Sequence, residues 1–505
     1  MNSLEITDVN NSKTNKRNKV LIFECTILFL LCALGKYIVP LAIAIAVFEV
    51  FVLLYYLMKQ DLVSFFILYI LFSGTSLSNS VFIYNDPDVP LYCFNQLPLV
   101  RGYHNILLLL VAVACILSKR RSFTVLEKRA YWRAKQTIKI ILLMFIFGVF
   151  FGLFVLLVND NGLLYLSDLW FVNYRRSLLR YLNLLLVAFG IYYCFVSSKN
   201  LRERFEDYLL VFLFSSSIAT IISVLLGWSA DYSSNTTLLL SQSALYNVFL
   251  VLYPFYSRKH LRMKMWSFFL GTSSTMCMLI KSSELSGKWW IFILYVFVLI
   301  IFRSVISSRI GLKFFGGIMI GISIIALLYL LNSQSAGGLS MTKFIQFRYL
   351  LNIKNPLWYK VLPESPKVRI DEFINIMLEY KEKPWFSILG KGFGASLLKR
   401  WGSTNWSLSS SGTFTLLELE NQVFMNLHES INCILLSFGF FGFYIIFKEL
   451  LYFIKKFGTD FFCIVGFAWF IFFLSSGYSA LYIGLCCFLY SKIESKYLYM
   501  ESYVA

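Results

Sequence analysis

Apolar runs of about membrane length recur along this chain, and that recurrence decides what it can fold into. A helix that crosses a bilayer needs about 20 predominantly apolar residues. Runs approaching that length lie near 20–35, 39–57, 62–83, 103–118, 137–158, 181–197, 208–228, 238–257, 266–280, 289–307, 314–331, 429–447, 461–475 and 479–490. Only 14% of the residues are charged, against about 25% in a soluble domain. The expected fold is therefore all-α: a polytopic membrane helix bundle of about 12–14 helices, with one large, partly helical outer loop. The first two runs and the last two are separated by few residues, so each pair is either a tight hairpin or a broken helix.

The formal charge is +19. The basic residues do not form one block, which speaks against nucleic acid as a partner. They recur between apolar runs, as the topology signal of a bilayer protein does. Basic patches at Lys13–Lys19, Lys119–Lys135, Lys199–Arg204, Arg258–Lys264, Arg303–Lys313 and Lys448–Lys456 all fall on one side if every run crosses. That side is expected to be cytoplasmic. The segments 84–101, 159–180, 229–237 and 281–288 then lie outside. The organisation expected is a basic tail at 1–19, a helix bundle at 20–331, the large outer loop at 332–427, C-terminal helices at 428–490 and a cytoplasmic tail at 491–505. Ten cysteines are scattered, and nearly all lie within or beside apolar runs. They suggest neither a disulfide framework nor a thiolate metal site.

The large outer loop concentrates the chemistry. Ser365-Pro366 reads as a helix start, with Ser at the N-cap and Pro at the first helical position. Ile370, Phe373, Ile374 and Met377 follow at helical spacing, with Asp371, Glu372, Asn375 and Glu379 between them. The pattern predicts an amphipathic helix stopped by Pro384. Lys367 and Arg369 in its first turns oppose the positive helix end. A helix N-terminus combined with such cations suits phosphate or pyrophosphate; the alternative for Arg369 is a solvated surface residue. Gly390-Lys391-Gly392-Phe393-Gly394 suggests a phosphate-cradling loop, yet no Ser or Thr follows the Lys as in a P-loop. Its glycines equally serve a tight turn. His428 stands where the loop re-enters the apolar region, beside Glu429, and an imidazole there can accept a proton near neutral pH. Arg175, Arg176 and Lys288 are further outer-face cations, either ligand-binding or snorkelling anchors. No cluster with metal-ligand spacing is evident on this face, so neither a metal nor another cofactor is expected.

The ordered set of features resembles the O-antigen polymerase and O-antigen ligase family of bacterial envelope glycosyltransferases. That set is a many-span bundle, a late large loop, Ser365-x-x-x-Arg369, an amphipathic helix, Pro384, Gly390-x-Gly-x-Gly394, then His428 before a run containing Gly439 and Gly442. The match covers about 282–445. The resemblance implies a metal-independent, inverting transferase in the bacterial inner membrane, with its site on the periplasmic face. The donor would be an oligosaccharide on undecaprenyl pyrophosphate. Arg369 and Lys288 would grip the pyrophosphate, and His428 would activate the acceptor hydroxyl. Arg175, Arg176, Lys367, Lys391 and Glu429 are the further candidates for substrate contact. Two departures stand out. Lys288 replaces the family's Arg, so a bidentate fork becomes a point charge, and Glu429 replaces a common Asn.

The function expected is polymerase, joining lipid-linked repeat units of a surface polysaccharide. The expected partners are that lipid-linked donor and acceptor, membrane lipids and a chain-length regulator protein. The alternative within the family is the ligase, which moves glycan to lipid A-core. A flippase or transporter is the alternative of another class; it would place charges along a central cavity rather than at one face. The orientation is directly testable: a cysteine at Ser403 should react with an impermeant thiol reagent applied from outside, and one at Ser122 should not. The reverse labelling pattern would invert the topology.

Overall fold

The structure is a computed structural model. It describes residues 21–31, 39–72, 103–118, 132–158, 163–197, 201–226, 261–281, 364–402, 416–425 and 430–457, with residues 250, 253, 254, 359, 362 and 427. The runs expected at 289–307, 314–331, 461–475 and 479–490 lie outside them, as do Lys288, His428 and Glu429.

The described chain is mostly helical. In order, the elements are α1 (Leu21–Leu31), α2 (Val39–Met58), α3 (Leu62–Phe72), α4 (Tyr103–Ser118), α5 (Trp132–Val158), α6 (Leu163–Ser197), α7 (Leu201–Leu225) and α8 (Leu261–Lys281). After these come α9 (Glu364–Glu382), α10 (Trp385–Leu389), β1 (Leu397–Leu398), α11 (Leu416–Asn421), β2 (Val423–Phe424) and α12 (Ser430–Phe457). The two strands pair antiparallel, Leu397 opposite Phe424. Among the described residues, two stretches, Ile138–Leu157 in α5 and Ile431–Lys448 in α12, are long and apolar enough to cross a membrane. Helices α2 and α4 begin where the hydropathy pattern puts them.

Helix α6 does not. The segment 159–180, expected as an outer loop, is helical from Leu163. It contains no Gly or Pro between Leu163 and Phe189, so nothing stops a helix there. Its charged residues merely hide it from a hydropathy window. At 35 residues it is about 50 Å long at 1.5 Å per residue. Arg175 and Arg176 therefore stand on a continuous helix rather than in a loop.

The bundle core joins α1 to α8 through fully buried side chains such as Leu53, Phe65, Phe66, Tyr69, Leu109, Ile141 and Leu213. A second core sits under α9 to β2 and includes Val368, Ile376, Phe386, Leu397, Phe424, Leu427, Leu435 and Leu436. The glycine-rich segment links the two. Phe393, 1% exposed, packs against Phe145 of α5 at 6.1 Å, Tyr174 and Tyr181 of α6 at 6.2 and 5.1 Å, and Phe438 of α12 at 6.2 Å between ring centroids. Gly148 and Gly152 of α5 leave the space: a Cβ on Gly148 would overlap the Phe393 ring, and one on Gly152 would overlap the Phe393 carbonyl.

Helix α12 is broken at Gly439, where φ is 58° and ψ −157°. That region is essentially open to glycine alone. The break disrupts the hydrogen bonds that would span it, and the segment after α10 uses the carbonyls. Lys391 N donates to Leu436 O at 2.9 Å and Gly392 N to Ser437 O at 2.8 Å, while Phe393 N donates to Gly148 O at 2.8 Å. Tyr380 Oη donates to Leu435 O at 2.7 Å. A Cβ on Gly439 would lie 2.6 Å from Ile388 O and 2.7 Å from Gly390 N. Gly439→Ala should thus lose about 3 kcal/mol or more from backbone strain and steric overlap. Thermal unfolding in detergent should show a clear fall in midpoint, with faster tryptic cleavage at Lys399 and Arg400. Leu157→Ala, at a 77% exposed position, should change neither.

Candidate functional site

Helix α9 forms where the pattern predicts it and ends before Pro384, but it presents the opposite face. Asp371, Glu372 and Asn375 are fully buried, and Glu379 is nearly so. Phe373, on the apolar side of the predicted amphipathic helix, is 42% exposed, and Ile370, Ile374 and Met377 are half-buried. The buried positions 368, 371, 372, 375, 376, 379 and 380 still keep helical spacing. The inward stripe mixes core residues Val368, Ile376 and Tyr380 with polar ones, and these polar side chains make hydrogen bonds that burial would otherwise leave unmade.

The partners are specific. Asn375 clamps the chain at Arg400–Trp401. Its Oδ1 accepts from Arg400 N at 2.7 Å and Trp401 N at 2.9 Å, and its Nδ2 donates to Trp401 O at 2.9 Å and Asp371 O at 2.7 Å. Tyr359 Oη donates to Asp371 Oδ1. Asn432, in the first turn of α12, donates from Nδ2 to Glu372 Oε2 at 3.0 Å and to the Arg369 carbonyl at 3.1 Å. Glu418 is buried on α11, and its Oε1 accepts from Met425 N at 2.7 Å. Burial, and then the nearby Glu379, push the Tyr380 phenol well above its usual range, so it stays a neutral donor to α12. At the exposed end of α9, the Arg400 guanidinium bonded to Glu382 holds that carboxylate below its usual range.

The predicted site residues fall into three groups. Arg369 and Lys367 lie near the start of α9, both half-buried; Lys367 Nζ is 5.9 Å from the centre of the Tyr359 ring. The Arg369 turn is joined by Asn432 to α12, whose first residue, Ser430, is two positions after His428. Leu427, which precedes His428, is buried in the same core as Val368, which precedes Arg369. Arg175 is half-buried on α6, beside Tyr174 and Asn173. The Asn173 side chain donates to Ala395 O at 2.7 Å, which ties this helix to the glycine segment. The side chain of Arg176 lies outside the described part, like Lys288, His428 and Glu429. Lys391 is a different case. Its Nζ sits 2.5 Å from Glu379 Oε2 and donates to Ser396 O at 2.6 Å. Its charge is committed within the fold, and the backbone N–H groups of residues 391–393 are bonded to carbonyls. The glycine segment is thus a packing device and does not present a cradle of free N–H groups.

Sequence reasoning missed Asn432, Asn375 and Tyr359 as organising residues. Asn432 did leave a signal, as a polar residue in the apolar run 429–447. No protein-family model, curated protein or solved structure matches the chain.

The Asn432–Glu372 contact predicts a reciprocal rescue. Asn432→Asp should place two carboxylates together and lower the melting midpoint more than Asn432→Ala, which itself should cost about 1–3 kcal/mol by leaving buried acceptors unpaired. Adding Glu372→Gln to Asn432→Asp restores a donor–acceptor pair and should recover part of that loss. The bond to the Arg369 carbonyl stays broken, so recovery should be incomplete. Additive effects in differential scanning fluorimetry would mean that the two side chains do not interact.

Proposed function

We propose that the chain is a multi-pass envelope glycosyltransferase. In this reading it joins undecaprenyl-pyrophosphate-linked oligosaccharide units at the outer face of a bacterial inner membrane, as a polymerase of surface polysaccharide. The observation that carries the reading is the Asn432 bridge. It ties the turn of α9 that bears Arg369 to the start of the helix that follows His428. The residue types at that junction suit the reaction: a guanidinium for a pyrophosphate leaving group and an imidazole for an acceptor hydroxyl.

The step proposed is a direct displacement. The acceptor oxygen attacks the anomeric carbon from the face opposite the pyrophosphate. The new C–O bond forms as the bond to the phosphate oxygen breaks, with inversion. The hydroxyl proton passes to His428. The negative charge leaving on undecaprenyl pyrophosphate is met by Arg369 and Lys288. Removing the proton as the bond forms is typically worth about 10²–10⁴-fold in rate, and no metal is needed for either role.

The test is transfer of a lipid-linked oligosaccharide by purified protein. Arg369→Ala should abolish polymer at unchanged protein level, and Arg369→Lys should recover it only in part because the planar fork is lost. His428→Ala and His428→Gln should both lower turnover by about 10²–10⁴-fold while donor binding persists. Excess chelator should leave wild-type transfer intact. Full-length polymer from Arg369→Ala, or activity lost in chelator and restored by magnesium, would overturn the mechanism. Polymer on the lipid carrier distinguishes the polymerase from a ligase, whose product would be glycan on lipid A-core.

A further inference from the structure

We propose that Trp401, backed by Tyr359, is a stacking platform for a pyranose ring of the glycan. The inference rests on the glycan-transfer reading and assigns it a sugar-binding surface. Trp401 is 40% exposed at a place where the chain leaves β1 and passes over α9. An indole on a surface turn would ordinarily move with its loop, but this one is fixed from below. Asn375, fully buried, bonds both the N–H and the carbonyl of Trp401 and also the N–H of Arg400. Gly402, the next residue, lies so close over Asp371 that a Cβ there would overlap its carboxylate. Tyr359 stands beside the indole, ring centroids 5.3 Å apart and planes tilted by 46°, and its hydroxyl is anchored on Asp371.

The surroundings select the ligand class. A pyranose has an apolar C–H face and a rim of hydroxyls. The negative face of an indole attracts polarised C–H groups, and donors around it meet the rim. Lys367 Nζ stands 5.9 Å from the centre of the Tyr359 ring, and Arg400, next to Trp401 in sequence, has its guanidinium paired with Glu382. The Tyr359 hydroxyl and the main chain of Trp401 are tied to Asp371 and Asn375 of α9, within two turns of Arg369. A sugar stacked there would extend from a lipid-linked pyrophosphate held at Arg369. An aromatic that merely anchors in lipid headgroups needs no buried amide to fix its main chain.

The experiment is saturation-transfer NMR on the full chain in lipid nanodiscs. The probes are free di- and trisaccharides built from glucose, galactose, rhamnose and N-acetylglucosamine. Wild type and Trp401→Phe should pass saturation to ring C–H protons of at least one sugar. Trp401→Ala should weaken that binding about tenfold, the scale of one lost aromatic contact. The Asn375 bonds reach only the main chain of residue 401, so the alanine variant should keep its fold; Trp401→Leu, apolar but without a π face, replaces it if it does not. Equal binding by wild type and the non-aromatic variants would overturn the proposal. So would an absence of saturation transfer from wild type. Quenching by brominated lipid that is stronger in wild type than in Trp401→Phe would make Trp401 a membrane anchor and also overturn it. Binding is read without turnover, so the two readings separate. Sugars that bind through Trp401 on a chain with no transfer activity would remove the transferase reading alone. Transfer that needs Arg369 but is indifferent to Trp401 would remove the platform alone.

Discussion

The break in α12 at Gly439 is the constraint on which the rest of the described structure depends. A continuous helix would spend the carbonyls of Leu436 and Ser437 on its own ladder. With the ladder interrupted, these carbonyls and that of Leu435 take their hydrogen bonds from Gly392, Lys391 and Tyr380. Each such bond is worth about 1 kcal/mol net, and leaving a buried partner unpaired costs about 1–3 kcal/mol. The gain is therefore mostly positional. Gly390, which has the same unusual backbone conformation as Gly439, packs directly against the break. Two glycines thus let one backbone lie on another, and Phe393 follows into the space beside Gly148 and Gly152.

That docking explains the inverted face of α9. Once the segment from Gly390 to Gly402 is pinned against α5, α6 and α12, its irregular backbone is buried and must find partners. Asn375 supplies them to the N–H groups of Arg400 and Trp401, and Glu379 to that of Leu398, while Glu418 serves Met425 just after β2. Lys391 neutralises Glu379, so the buried carboxylate is paired, as burial of a charge requires. The described part of the large loop, 364–402 and 416–425, is consequently packed and shares a core with α12. The Asn432 bonds and the shared core fix the α9–α12 junction, as a defined site would require, because catalytic groups must be held within fractions of an ångström.

The same geometry sorts the cations. Composition and position alone make Lys391, Lys367 and Arg369 equivalent candidates for an anion. Within the fold they are not equivalent, since Lys391 is enclosed by Glu379 and the Ser396 carbonyl while Lys367 and Arg369 lie on the first turns of α9. Arg175 belongs to a helix tied to the glycine segment through Asn173 and Ala395, which gives it a fixed place rather than that of a loop residue.

Sequence by itself determined the helical character of the described residues, the positions of α2, α4 and α9 and the stop at Pro384. Local rules decide these features: apolar run length, helical spacing and the missing N–H of proline. It also drew attention to the glycines, but the reason was left open between a ligand cradle and a turn. Only the tertiary structure decided that they serve close backbone packing, because the partners Gly148, Gly152 and Gly439 are far away in sequence. The buried face of α9 was decided in the same way. Amphipathic pattern assumes that the apolar side of a helix faces the core, and that fails where the core contains irregular backbone with hydrogen bonds to satisfy. Helix α6 shows the complementary limit: charge hid it from a hydropathy reading, whereas its uninterrupted backbone and the aromatic contacts of Tyr174 and Tyr181 with Phe393 hold it as a helix.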